Sequence, residues 1–171
     1  MRLQKYLPIV IVLLAFMPVL AKSKSVTVNL QNAQGQGIGT ATLSQTQQGV
    51  KIKLNLHGLP PGEHAIHVHQ SPHCDAPDFK TAGGHFNPEG KHHGLENPEG
   101  PHAGDIPNFT VNAKGNAKTT VIAPNLKLGD ETDSVFSGSG TALVIHAKAD
   151  DGKTDPSGNS GDRIACGVIS K

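Results

Sequence analysis

Residues 50–56 read VKIKLNL, with Val50, Ile52, Leu54 and Leu56 in every second place and Lys51, Lys53 and Asn55 between them. Successive side chains of an extended chain point to opposite faces, so this alternation writes one apolar and one wet face, as an antiparallel strand over a core requires. Seven other short runs share the period: SVTVNL from 25, IGTATL from 38, HAIHVH from 64, NFTVNA from 108, KTTVIA from 118, TALVIH from 141 and RIACGVI from 163. Together they predict eight strands, and no stretch carries a convincing amphipathic helix. The expected fold is all-β, an eight-stranded antiparallel Greek-key barrel or sandwich.

Length and composition set the frame around these strands. A chain of 171 residues is long enough for one domain with a proper core and short for two. Its first residues place Arg2 and Lys5 ahead of an apolar run from Leu7 to Leu20, followed by Ala21. That is the pattern of a signal peptide over residues 1–21, leaving 22–171 as the mature domain with no membrane span; an uncleaved anchor is the alternative, against which the run is shorter than the ~20 residues of a span and carries Pro8 and Pro18. Export places the two cysteines, Cys74 and Cys166, in an oxidising environment where a lone pair becomes a disulfide. Losing Arg2 and Lys5 changes 15 basic against 14 acidic residues to 13 against 14, a balance that excludes nucleic acid as an obvious partner.

Three gaps between strands are longer than hairpins, residues 71–107, 124–139 and 148–162, and function belongs there. Within the first, Gly83 to Asp105 reads GGHFNPEGKHHGLENPEGPHAGD, with Phe86 and Leu95 as its only large apolar side chains. A segment this long without strand or helix periodicity is either disordered or functional. Its histidines, His85, His92, His93 and His102, with Asp105, are ligand types that let a metal replace the missing core. In HAIHVH the period of two puts His67 and His69 on one face and Ile66 and Val68 on the other. His146 ends the TALVIH run, with Asp150 just beyond it. Taken singly, each is equally well read as a solvated polar residue, and His57, His64, His73 and His92 are read that way.

In order along the chain, HVH, GGHFNPEGKHHG, GPHAGD, ALVIHAKADD and GDRIACGV resemble the copper/zinc superoxide dismutase family, in particular its bacterial exported branch. The resemblance implies a barrel with long metal-binding loops, a superoxide substrate and one copper and one zinc per subunit. Residue by residue it makes His67, His69, His85 and His146 copper ligands and His85, His93, His102 and Asp105 zinc ligands. These are seven residues for the eight positions of two four-coordinate metals, so one imidazole must use both nitrogens, and His85 matches the family's bridge. Four nitrogens suit Cu(II), whereas three nitrogens and a carboxylate suit Zn²⁺, which has no redox chemistry.

The resemblance further implies that superoxide reduces copper and leaves as oxygen, that His85 detaches and takes a proton, and that a second superoxide reoxidises copper to give hydrogen peroxide. Arg163 would hold the anion and Asp150 would orient a histidine of each site; a structural salt bridge is the alternative for Arg163. Gln70, where the family often has Glu, and the short segment 148–162 depart from the pattern, and Lys153 is a candidate for steering superoxide. A copper store without turnover and a zinc-stabilised binding module are the competing functions, but either would be expected to lack a copper ligand. Monomer and homodimer both stay open.

Overall fold

The computed structural model describes residues 25–131 and 133–171; the expected signal peptide lies outside them. The strands are β1 (Ser25–Asn32), β2 (Gly37–Thr46), β3 (Gly49–Leu56), β4 (Gly62–His64), β5 (Ile66–His69), β6 (Phe109–Val111), β7 (Ala117–Ala123), β8 (Thr141–His146) and β9 (Arg163–Ile169). One 3₁₀ turn, Lys80–Ala82, is the only helical element among the described residues, and no helix there is long and apolar enough to cross a membrane. Seven strands form a curled antiparallel sheet in the order β5-β8-β9-β1-β2-β3-β7, and β4 pairs with β6 in a small second sheet.

The all-β expectation holds, with nine strands in place of eight because the run from 64 to 69 divides at Ala65. The Ala65 N–H donates to the Lys148 carbonyl at 2.8 Å, and its own carbonyl accepts from His146 N–H at 3.0 Å. Here the chain leaves β6 as partner and takes up β8. The neighbours β5-β8 and β9-β1 are far apart in sequence, which gives the sheet its Greek-key character.

In β3 the alternation is realised as read: Val50, Ile52, Leu54 and Leu56 are buried while Lys51, Lys53 and Asn55 are exposed. Those inward residues pack in one cluster with Val28, Leu30, Leu43, Ile66, Val68, Leu143 and Ile145. Side chains this buried each contribute about 1.5 to 3 kcal/mol relative to exposure. The turn between β2 and β3 depends on Gly49, whose φ is +112° and where a Cβ would lie 2.4 Å from the Ala123 carbonyl oxygen.

β5 and β8 differ from the rest, for every residue of both is buried. Their inward faces join the core. The outward face of β8, Ala142 and Val144, is covered by Phe79, Ala82 and the disulfide between Cys74 and Cys166. Phe79 is fully buried with φ of 52°, and its N–H donates to the Asp75 carbonyl at 3.0 Å, so the segment from 71 to 84 is strapped against β8 and β9.

The bridge joins cysteines 92 residues apart, and the chain-entropy account gives it about 4 to 5 kcal/mol. Cys74→Ser should therefore lower the urea midpoint and speed amide exchange first in residues 71–84, with the β1–β3 amides protected until global unfolding. Unchanged exchange in that segment would show that Phe79 and its neighbours hold it unaided.

Candidate metal centre

On β5 the period of two sends Ile66 and Val68 into the core and His67 and His69 to the opposite face. The sequence alone leaves those imidazoles projecting outward, yet they are 0% and 1% exposed. Residues of the first long loop cover them by extending the sheet past β5. Phe86 N–H donates to the Val68 carbonyl at 2.8 Å, Val68 N–H to the Gly104 carbonyl at 3.0 Å, and Gly104 N–H to the Phe86 carbonyl at 2.9 Å. Gly104 permits this approach, since a Cβ there would stand 2.2 Å from the Val68 carbonyl oxygen. His85 thereby comes opposite His69, and Asp105 opposite His67. His146, at the end of β8, completes the group, its ring centroid 4.9 Å from that of His67.

Each imidazole in this first group uses one nitrogen to hold itself and presents the other. His69 donates from Nδ1 to the Gly83 carbonyl at 2.9 Å, His146 from Nδ1 to the Gly161 carbonyl at 3.2 Å, and His67 from Nε2 to Asp150 Oδ2 at 2.7 Å. Left over are Nε2 of His69 and of His146, 3.4 Å apart, and Nδ1 of His67. The fourth is Nε2 of His85, and His67 Nδ1 and His85 Nε2 are buried with no hydrogen-bond partner. An orphaned buried polar atom costs about 1 to 3 kcal/mol, and two in one group are explained by a cation that takes their lone pairs. Burial favours the neutral, ligating form. It is the main cause lowering the pKa of His69 to about 2, of His146 to about 3 and of His85 to about 4.

The second group gathers around one carboxylate. Asp105 Oδ2 accepts the backbone N–H groups of Gly94 and His102, each at 2.9 Å, which orients the carboxylate. Its Oδ1 faces Nδ1 of His85 at 2.9 Å, of His93 at 3.0 Å and of His102 at 3.3 Å. Burial alone would raise the Asp105 pKa, but the bonds from His102, His85, His93 and Gly94 hold it far below the usual carboxylate range. At His93 burial is likewise overridden, here by Asp105 and Asp150, and the pKa rises to about 9. Three imidazole nitrogens and a carboxylate oxygen form the donor set of a tetrahedral zinc site, while four nitrogens suit copper. The atoms of each group all lie within 4.8 Å of one another. His85 belongs to both, Nδ1 in one and Nε2 in the other.

Asp150 links the groups, accepting from His67 Nε2 and from His93 Nε2, the latter at 3.0 Å to Oδ2. Such carboxylates fix ring orientation and tautomer at metal sites. Asp150 is itself clamped by Asn108, which accepts the Asp150 N–H and donates to the Asp150 carbonyl, both at 2.9 Å. Sequence reading assigned Asn108 to a strand and gave no sign of this reciprocal pair. It also placed His64 among solvated residues, which the structure corrects. His64 is 2% exposed, with Nδ1 2.8 Å from the His146 carbonyl oxygen and Nε2 2.8 Å from that of Pro60. Its position before the Ala65 crossing, between two sheets, is the reason. His92 is exposed as expected and meets Asp155.

Arg163 opens β9 beside His146. Its Nη1 donates to the Phe79 carbonyl at 2.7 Å and its Nη2 to the Gly83 carbonyl at 2.6 Å. Among the described residues no carboxylate forms an ion pair with it, although Asp78 lies near enough to act on its charge. The Gly83 oxygen also accepts from His69, so the guanidinium and a copper-side imidazole share one anchor. An opening of ≈ 440 Å³ lies against Arg163, lined also by Pro77, Asp78, Lys80, Gly161 and Asp162. Lys153 instead pairs with Glu96 at 3.0 Å, which compensates the charge that made it a steering candidate.

The family model for copper/zinc superoxide dismutase matches residues 38–169. Superoxide dismutase [Cu-Zn] 2 of Aquifex aeolicus is 59% identical over 124 residues, covering 71% of this chain and 72% of its own. The enzyme of Caulobacter vibrioides is 43% identical over 124 residues, 71% of each chain. Among solved structures, the copper/zinc superoxide dismutase of Brucella abortus superposes with a TM-score of 0.71 at 36% identity, over 85% of this chain and 99% of that one. A superoxide dismutase-like protein of Bacillus subtilis superposes at 0.80 with 39% identity, over 84% and 97%.

The loop from 83 to 105 has little apolar area of its own, Leu95 being 40% exposed, so zinc should be what holds it. Chelating zinc should raise amide exchange there far more than in β1–β3. Equal protection with and without the metal would mean that Phe86 and the Asp105 hydrogen bonds suffice.

Proposed function

The chain belongs to the copper/zinc superoxide dismutase family and converts superoxide to molecular oxygen and hydrogen peroxide, and on that premise we propose that Arg163 docks the anion and His85 carries the proton. The observation behind this reading is the shared Gly83 carbonyl, which fixes the guanidinium next to the copper-side ring of His69. Copper, held by His67, His69, His85 and His146, supplies the one-electron redox chemistry, and zinc, held by His85, His93, His102 and Asp105, a redox-inert charge.

The net reaction consumes two superoxide ions and two protons for each O₂ and H₂O₂. A fixed fork of donors with a permanent charge suits a small anion awaiting electron transfer, and Arg163 has two of its donors tied to carbonyls while the opening beside it reaches solvent. Burial lowers its pKa and Asp78 opposes that shift, but an arginine stays protonated throughout the physiological range. His85 is the residue placed to hold a proton at Nε2, because Asp105 keeps its Nδ1 side in position. The burial of His67, His69 and His146 keeps most water away from these rings.

Arg163→Glu reverses a charge without touching a ligand. Metal content should survive, and the second-order rate measured by pulse radiolysis should fall by at least about tenfold, with Arg163→Lys losing less. Added salt should slow the parent, since exposed charges are screened beyond roughly 8 Å at physiological ionic strength, and the reversed variant should lose that slowing. His146→Ala should abolish turnover while zinc stays bound. Parent-like rates in Arg163→Glu would return Arg163 to a purely structural role.

We infer in addition that the protein is exported and that residues 1–21 are removed. The basic and apolar pattern of residues 2–20 and the Cys74–Cys166 disulfide support this, for such bridges persist in oxidising compartments. Mass spectrometry of protein recovered outside the cytoplasm should find a chain that begins near Lys22; an intact Met1 would refute the cleavage.

A further inference from the structure

Charge is sharply segregated in this molecule. All 14 acidic residues lie at or after Glu63, so β1, β2 and β3 contain none, and neither does β7. Five lysines near the loops are locally compensated, Lys80 by Asp78, Lys91 by Glu89, Lys127 by Asp133, Lys153 by Glu96 and Lys171 by Asp130, whereas Lys114 and Lys148 stand singly in two separate loops. Lys51, Lys53 and Lys118 are exposed on the outer sheet face, and among the described residues no carboxylate pairs with them. Lys51 and Lys53 stand about 7 Å apart along β3. Lys118 is in register with Asn55, two residues from Lys53, which puts it about 7 to 8 Å from Lys53 on the diagonal. The rest of this face is uncharged, with Thr40, Thr42 and Ser44 beside the lysines on β2 and Thr120 and the half-buried Ile122 on β7.

We propose that this outer face of β2, β3 and β7 docks the exported enzyme on an anionic phospholipid surface, with the metal site turned to the aqueous side. The inference rests on the export reading. The covalent structure favours a bilayer: Ser25 is in register with Ser44, and Ser44 with Lys51, so the chain enters the sheet at the end that carries Lys51, with Lys118 toward the opposite end. Lys22 and Lys24 immediately precede that point, and the apolar run ends at Leu20. Cleavage after Ala21 adds an α-amino charge beside Lys22 and Lys24.

The fold supplies the orientation. β5 and β8, which carry His67, His69 and His146, stand at the other end of the strand order from β3 and β7. The inward residues of both ends share one core cluster, so their outer faces point apart. A molecule lying on its lysines presents the opening beside Arg163 to the compartment where superoxide, an anion unsuited to crossing hydrocarbon, must be intercepted.

The test uses the metal-loaded enzyme without residues 1–21, a deletion that leaves every described residue in place and makes vesicle binding independent of whether cells export the chain. It should sediment with phosphatidylcholine vesicles containing about one-third phosphatidylglycerol, not with phosphatidylcholine alone, and high salt should release it. Each of Lys51→Gln, Lys53→Gln and Lys118→Gln should weaken partition about fivefold, and all three together about a hundredfold. The triple arginine variant should bind like the parent, and the dismutation rate in solution should be the same for all. Binding indifferent to vesicle charge or to the triple glutamine change would overturn the proposal. So would retention on polyphosphate without vesicle binding, which would point to a soluble anionic polymer.

Discussion

The Asp105 carboxylate is the constraint on which the centre depends. Its Oδ2 is fixed by two backbone N–H groups, and its Oδ1 meets ring nitrogens from three separate points of the same loop, His85, His93 and His102. A segment rich in Gly and Pro cannot repay its ordering entropy with apolar burial. Converging its polar side chains on one small cation does so instead. Once the loop is shaped, it closes over β5, and two strand histidines that would otherwise face water become buried ligands. The burial of the four-histidine group therefore depends on the same loop that carries His85, His93, His102 and Asp105.

The two sites are mechanically one. His85 contributes a nitrogen to each, and Asp150 holds a ring from each. The third loop delivers Asp150, and Asn108 on the far side of the first loop clamps its backbone. Displacement of the first or the third long loop would thus disturb both sites. The disulfide and Phe79 secure the remaining segment, whose carbonyls at Phe79 and Gly83 aim Arg163. Both bonds hold the guanidinium through neutral carbonyls, so among the described residues it is positioned without a direct ion pair.

The sheet divides labour by strand. β1, β2, β3 and β7 are covered on one face only and could tolerate many polar side chains on the other. β5 and β8 are covered on both faces, which gives the ligands a rigid and water-poor base. The enzyme places three of its ligands on its most constrained strands and exposed lysines on the open ones.

By itself the sequence determined the all-β character, all the strands but the division at Ala65, the family and the identity of the seven ligands. Alternation such as that in residues 50–56 is a local property of the chain, and ligand types at family spacing survive without knowledge of their surroundings. What covers a face is not local. The burial of His67 and His69 depends on a loop that returns 15 to 40 residues later, and that of His64 on where Ala65 changes partner from one sheet to the other. The Asn108 clamp and the carbonyl anchors of Arg163 join positions 42 to 84 residues apart. Only the tertiary structure decided these, because a hydrogen bond between distant segments leaves no periodicity in either of them.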